Sequence, residues 1–299
     1  MITVIGSVNM DLIATTPRLP EPGETVGGTD FTTAQGGKGA NQALAAQRAG
    51  ASVKMAGAVG DDAFASEALA LLSEAGADLT SVRRLDGPTG IAMILVGGDG
   101  ENMIAVIPGA NGKVTAGDAT EAVAAMSAGD TLLLQMEIPE AAIEAALKAA
   151  RAKGVRSVLN IAPLTDAVER LAPLADIVIA NETEFARLSD RPAETLEAAR
   201  AELEKLHGKT GQCLIVTLGG DGVLWAKDGQ IAHVESLKIK PVDTVGAGDT
   251  FCGYLAQGLD TGMDFATAVR RAAAAGALAC LKPGAQPSIP VSADVEARL

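Results

Sequence analysis

The segment Asp243-Thr244-Val245-Gly246-Ala247-Gly248-Asp249-Thr250-Phe251 carries the residue types that anion chemistry needs. Glycines at a helix entrance leave backbone N–H groups open to an anion, and the helix dipole adds partial positive charge there. Asp249, in the first turn, is placed to take a proton from a hydroxyl that attacks the bound anion. An aspartate there also caps a helix while the glycines make a turn, and the segment alone leaves both readings open. Rival phosphate loops fail on spelling. In a Gly-x4-Gly-Lys-Ser/Thr loop, Thr32 would stand at the first glycine before Gly37-Lys38, and Gly39 follows the lysine. A Gly-x-Gly-x-x-Gly turn fails because Gly6 is followed by Ser7-Val8-Asn9, and no protein-kinase motif set is present.

Further polar groups recur at the ends of apolar runs. Gly36-Gly37-Lys38-Gly39-Ala40-Asn41-Gln42 opens a helix that runs to Gly50, either as a ligand-approaching turn or as a plain hinge and helix start. Asn9 and Asp11 follow the first apolar run; they suit sugar hydroxyls, or they make an ordinary turn. Asn181-Glu182-Thr183-Glu184 follows another, as a helix cap with an acidic first turn or as carboxylates that orient the water shell of Mg²⁺. Glu137, Thr217-Leu218-Gly219-Gly220-Asp221-Gly222 and Gly284-Ala285-Gln286-Pro287-Ser288 sit at comparable positions. All lie where an open α/β sheet binds its ligand.

The elements that must position them alternate. Ile2–Gly6, Val53–Val59, Thr131–Met136, Arg156–Asn160, Asp176–Ala180 and Cys213–Thr217 read as strands, and Ile231–Val242 as a β-like stretch. Ala141–Lys153, Ala193–Leu206 and Ala247–Leu259 read as helices. The pattern predicts one α/β domain over 1–299, a doubly wound, mostly parallel sheet flanked by helices. Residues 11–35 and 89–108 break it with Pro, Gly and β-rich runs, and are expected to pair into a small β-sheet lid hinged near 34–37 and 108–112. A net charge of −13 argues against nucleic acid as a partner. The longest apolar run, Ala272–Leu281, is too short for a membrane span, and Met1 leads straight into a strand without a signal segment. Three scattered cysteines suit free thiols in a cytoplasm. His207 and His233 lie far from any motif and read as surface residues, which argues against zinc sites and Ser-His triads.

Taken in order, the Gly36–Asn41 run, Asn181-Glu182-Thr183-Glu184 and Asp243–Phe251 resemble the signature regions of the ribokinase-like family of carbohydrate kinases. The resemblance covers essentially the whole chain. Ser7-Val8-Asn9-Met10-Asp11 and Gly284–Ser288 bring it closest to the ribose-phosphorylating members. It implies a kinase that moves the γ-phosphate of ATP to the O5 hydroxyl of D-ribose, with Asp249 as base and the N–H groups of Gly246, Ala247 and Gly248 as anion hole. It implies that Asn9, Asp11, Gly37, Lys38, Asn41 and Glu137 hold the sugar. Asn181, Thr217, Gly219, Gly220, Asp221, Gly222 and Gly248 would hold ATP, and Glu184 would act through water on Mg²⁺. A monovalent cation, K⁺, would sit on Asp243, Val245, Ala279, Lys282, Gly284 and Ser288, and two copies would form a homodimer through their lids. Where the family often has His or Asn near adenine, this chain has Ala273. Aromatic residues make up only 2% of it, so adenine is expected between aliphatic side chains. Kinases of another small sugar or of a nucleoside, and a non-catalytic sugar sensor, are the alternatives.

Overall fold

Short β-branched and leucine runs bounded by Ala-rich helical stretches build a layered α/β molecule. The structure, a computed structural model, describes residues 1–192 and 195–299. The strands are β1 (Ile2–Ile5), β2 (Asn9–Thr15), β3 (Asp30–Gly36), β4 (Val53–Gly60), β5 (Asp78–Leu85), β6 (Gly90–Val96), β7 (Asn102–Ile107) and β8 (Thr131–Leu134). They continue with β9 (Arg156–Asn160), β10 (Ile177–Asn181), β11 (Cys213–Thr217), β12 (Val223–Lys227) and β13 (Gln230–Val234). A nine-stranded sheet runs β13-β12-β11-β10-β9-β8-β1-β4-β5. It is parallel from β5 to β11, with antiparallel β12 and β13 at one edge.

Alternation along each strand feeds two cores. Val4, Leu133, Val158 and Ile215 face helices Lys38–Arg48, Ala247–Asp260 and Phe265–Ala279, joining Leu44, Tyr254 and Val269. Ile5, Leu132, Leu134, Leu159 and Val216 face the other way, onto Ile143, Leu147, Phe185 and Leu203. Both faces are therefore covered, as parallel strands require. The chain leaves β1 toward β4 on one side and returns to β8 on the other. That opens a crevice beyond the C-terminal end of β1.

Residues from both interrupting segments pair into a second sheet, ordered β3-β2-β6-β7. β2 pairs in parallel with β6, Asn9 opposite Gly90, and antiparallel with β3, Asn9 opposite Gly36. Because β2 follows β1 after Gly6-Ser7-Val8, this sheet rises directly from the crevice.

The structure departs from the sequence reading in places. Strand structure ends at Val234, and 235–242 is irregular: beyond the sheet edge these residues turn to wall a cavity, and Pro241 has no N–H to pair. β5 and β12 were not picked out as strands. Helix Leu196–Thr210 starts later than expected, and the first two residues of the expected stretch, 193 and 194, lie outside the described residues. Gly284–Ser288 is not a plain tail after the last helix. It holds a short turn of helix, Ala285–Ser288, with another, Ser292–Glu296, beyond. His207 is buried at 7% exposure: its Nδ1 lies 2.8 Å from the Gln212 carbonyl and its Nε2 3.0 Å from the Gly229 N–H. Those partners select the Nδ1–H tautomer.

Helices Lys38–Arg48 and Ala247–Asp260 cross at Gly253. A methyl there would come within 2.5 Å of the Ala45 methyl and 2.6 Å of both the Ala46 nitrogen and the Gln42 carbonyl oxygen. Gly253→Ala is expected to force the helices apart and destabilise the fold by about 1–3 kcal/mol. The check is the denaturant midpoint; an unshifted midpoint would refute the close approach.

Candidate active site

Gly37 turns the chain into helix Lys38–Arg48 with a φ of +88°. A side chain at Gly37 would meet the Asn9 nitrogen at 2.7 Å and the Ser7 carbonyl oxygen at 2.9 Å, so only glycine lets the turn seat on the β1–β2 junction. The turn is then bolted down. The Ala40 N–H donates to the Ser7 carbonyl at 2.9 Å, the Ser7 hydroxyl donates to Glu137 at 2.5 Å, and the Lys38 N–H donates to the same Glu137 oxygen at 3.0 Å. Asn41, one turn along the helix, donates its amide to Asp249 Oδ2 at 2.9 Å, while its own Oδ1 is buried without a protein partner. Asn9 is buried and accepts from Asn111 Nδ2 at 2.7 Å; Asp11 follows it on β2 with no side-chain partner among the described residues. Asn9, Asp11, Gly37, Lys38, Asn41, Glu137 and Asp249 thus converge from four separate stretches of chain.

On the other side of Asp249 lies a cavity of about 740 Å³. Lys38, Asp249, Gly246, Ala247 and Gly248 form one end; Asn181, Glu184, Thr217, Gly219, Gly220 and Gly222 line the strand-end wall. Asp221 does not line it: its N–H turns back to the Leu218 carbonyl and its side chain is exposed. The remaining wall is largely aliphatic, with Val223, Leu237, Ile239, Pro241, Ala273 and Ala277, and Phe251 as its aromatic member. At the helix entrance, the Gly246 and Gly248 N–H groups have no partner among the described residues. The Ala247 N–H differs from expectation, because it closes a turn onto the Thr244 carbonyl at 3.3 Å. Asn181 and Glu184 form a reciprocal capping box, with bonds of 2.8–3.0 Å. The capping reading of that motif is therefore real, and Glu184 reaches the cavity as well.

The residues proposed for a monovalent cation come from two segments that meet. The Asp243 carboxylate accepts from the Val245 N–H at 2.9 Å and the Gly284 N–H at 2.8 Å, and the Cys280 carbonyl accepts from Val242 at 2.8 Å. Asp243, the Ser288 hydroxyl and the backbone carbonyls of Val245, Ala279, Lys282 and Gly284 offer only oxygen, which fits a hard cation. Lys282 can take part only through its carbonyl, since its ammonium would repel a cation. For Mg²⁺, Glu184 with Glu182 beside the cavity fits an ion that keeps much of its water.

Burial and the neighbouring Glu137 and Asp249 carboxylates push Asp11 up to about 7. The Asp249 carboxylate, with Glu137 and Glu184 behind it, holds the Lys38 ammonium above its ordinary value against the opposing effect of burial. Burial raises Glu184, and the Asn181 N–H and Lys38 work in the opposite direction.

Some groups in this network drew no separate assignment from sequence. Gln42 stood beside Asn41 in the glycine run, and Asn160 ends a strand as Glu137 nearly does, so strand-end polarity was an available signal. Gln135 and Asn111 had none, because each is polar in a stretch that reads as structural.

The doubly wound sheet sets the Asp249 carboxylate at its strand ends, between a cluster of polar side chains and a largely aliphatic cavity, and the relatives make the chain a phosphotransferase with an alcohol group as acceptor. The sequence matches the model of the pfkB family carbohydrate kinases over residues 1–292, and the chain belongs to that family. It is 37% identical to a ribokinase of Schizosaccharomyces pombe, covering 99% of this chain and 96% of the relative. It is 34% identical to a ribokinase of Haemophilus influenzae, covering 97% and 95%. The structure of an Arabidopsis thaliana ribokinase complexed with ribose and ATP superposes with a TM-score of 0.90 at 34% identity, covering 99% and 97%.

Asp11 carries a testable cost. Its folded value, about 7, lies above the ordinary 3.8, so the folded protein holds a proton that the unfolded chain has released. Stability therefore falls as pH rises from about 4 to about 7, by on the order of 2–4 kcal/mol. Asp11→Asn should melt higher than wild type at pH 8 in the absence of ligand, with the advantage gone near pH 4. Calorimetry at the two pH values decides, and an advantage equal at both would refute the assignment.

Proposed function

We propose that the chain is an ATP-dependent ribokinase that transfers the γ-phosphoryl group to O5 of D-ribose, giving ribose 5-phosphate and ADP. The observation that carries this is the place of Asp249. Its carboxylate is held by Asn41 on the side of Asn9, Asp11 and Glu137, and it also forms the end of the 740 Å³ cavity. The relatives named ribokinase and the Arabidopsis complex with ribose and ATP support the choice of sugar and nucleotide. In this reading Asn9, Asp11, Asn41 and Glu137 grip ribose hydroxyls, and the unpartnered Asn41 Oδ1 receives one of them. Asp249 takes the O5 proton as O5 attacks. The N–H groups of Gly246 and Gly248, aided by the helix N-terminus and Lys38, stabilise charge on the moving group. Asn181, Thr217, Gly219, Gly220 and Gly222 hold the nucleotide, and the aliphatic wall around Ala273 takes the base. Glu184 would hold Mg²⁺ through water, and the ion would supply neutralising charge to the phosphates. The Asp243–Ser288 oxygens would hold K⁺, whose charge would steady the helix entrance.

The second sheet, drawn from about 11–35 and 89–108, acts as a lid that excludes competing water. The sheet exposes Phe31, Met93 and Met103 on one face and Ile104 and Val106 on the other, and a second copy of the chain covers this apolar surface to form a homodimer. The free cysteines Cys213, Cys252 and Cys280 suit a reducing cytoplasm.

Asp249→Asn should fold, bind ribose in calorimetry and lose about 10²–10⁴ in kcat; near-wild-type ADP release would end the assignment. Ile104→Lys should shift the protein from dimer to monomer in light scattering, whereas a wild-type mass would remove the lid as the interface.

A further inference from the structure

A chain of buried amides ends on Asp249, and the mechanism above leaves it unused. Gln135, just past β8 and fully buried, donates Nε2–H to Gln42 Oε1 at 2.7 Å. Gln42, also fully buried, donates from its own Nε2 to Asp249 Oδ1 at 2.8 Å and to Asn160 Oδ1 at 3.1 Å. Asn160 donates onward to the Ile179 carbonyl at 3.3 Å.

The direction of this chain is set from its acceptor end, and Gln135, whose Oε1 is buried without a partner among the described residues, follows Gln42. The Ile179 carbonyl accepts only, so Asn160 turns its nitrogen that way and its oxygen toward Gln42. Gln42 Oε1 is held by the Gln135 donor, so both hydrogens of Gln42 point toward Asn160 and Asp249. A flipped Gln42 would set its carbonyl oxygen against the Asp249 carboxylate. The network forbids that by costing two further bonds in a buried place. Asp249 Oδ1 therefore always faces a donor. Asn41 engages Oδ2, on the side where Asn41 Oδ1 remains unpartnered.

We infer that Gln42 is a positioning residue for phosphoryl transfer. It holds Asp249 Oδ1 and turns the carboxylate so that Oδ2 meets the attacking hydroxyl, and Gln135 and Asn160 act through it. The inference rests on Asp249 being the base. In the step itself the O5–H bond breaks and its proton goes to Asp249 Oδ2. The O5–P bond forms, and the bond from the γ-phosphorus to the bridging oxygen breaks with its electron pair leaving on ADP. The proton passes to solvent as products depart.

The charged and titratable groups around Asp249 are Lys38 and Glu137 across the glycine turn, Asp11 on β2, Glu184 at the cavity wall and Cys252 on the same helix. None of these is altered by a change at Gln42 or Gln135, so such variants isolate the amide chain.

The test measures kcat and KM for ribose and ATP across pH in wild type, Gln42→Met, Gln135→Met, the double variant and Asp249→Asn. Gln42→Met should lower kcat about 10–100-fold, the scale of one hydrogen bond to a charged group. Both KM values should stay within about twofold, and the acid limb of kcat should move to higher pH, because the ionised base has lost a donor. Gln135→Met should give a smaller loss in the same direction and carries the test if Gln42→Met does not fold. The double variant should be no worse than Gln42→Met, since one residue acts through the other. An unmoved acid limb in the folded variants, even with a lower kcat, would overturn the inference and leave a merely structural role. Turnover by Asp249→Asn would instead remove the base itself. An inactive Asp249→Asn beside an unaffected Gln42→Met would sink only the amide chain.

Discussion

The site depends on how closely two helices approach. Lys38–Arg48 carries Asn41 and Gln42 in its first turn, and Ala247–Asp260 carries Asp249 in its own. One turn further along each, Ala45, Ala46 and Gly253 touch where no further methyl fits. That contact sets the 2.8 and 2.9 Å bonds from the two amides to the carboxylate. A larger residue at the crossing would open both bonds at once, since they share the same pair of rigid rods. The abundance of alanine on these helices follows from the same constraint: small side chains allow backbones to lie near one another.

Much of this was legible in advance, for identifiable reasons. The parallel sheet announced itself through short apolar runs alternating with amphipathic helices, and its polar C-terminal edge through Asn9, Glu137, Asn181 and Thr217 at strand ends. The pairing of two distant Gly- and Pro-rich segments into one sheet was also readable, because both lacked helical spacing. What escaped were groups whose importance comes from the far side of the fold. Gln135 and Asn160 end strands as unremarkable polar residues until packing places them in line with Gln42. Asn111 looks like part of a turn, yet it makes bonds in both directions with the Val8 backbone, 103 residues away. Asp221 and the Ala247 N–H show the converse error. A motif supplies a set of neighbours in sequence, and local turns then use some of them up.

The electrostatics of the cleft are lopsided. Glu137, Glu184 and Asp249 gather around the Lys38 ammonium, with Asp11 beside Glu137 and Asp249, in a protein already at −13. Such a cluster is unfavourable for the empty fold and useful for a ligand that brings hydroxyl donors and metal-bound phosphate. Asp11, with no side-chain partner among the described residues, is the clearest case: it weakens the resting protein and, in the proposed reading, has an acceptor ready for the sugar. Activity and stability are in tension here at a named atom.

The junction between β1 and β2 has a mechanical consequence. Asn111 clamps Val8 and Asn9 at the root of β2 with three hydrogen bonds, whereas Thr15 ends the strand six residues beyond Asn9, roughly 20 Å away. A strand held in this way is an arm with its fulcrum at Asn9. A pivot of about 10° would sweep the tip by roughly 3–4 Å on that span while Asn9 and Asp11 hardly moved. In the proposed reading the groups that grip the ligand sit on the still end of the arm, and the opening to solvent is governed by the travelling end. Access and grip are thereby separated along a single strand.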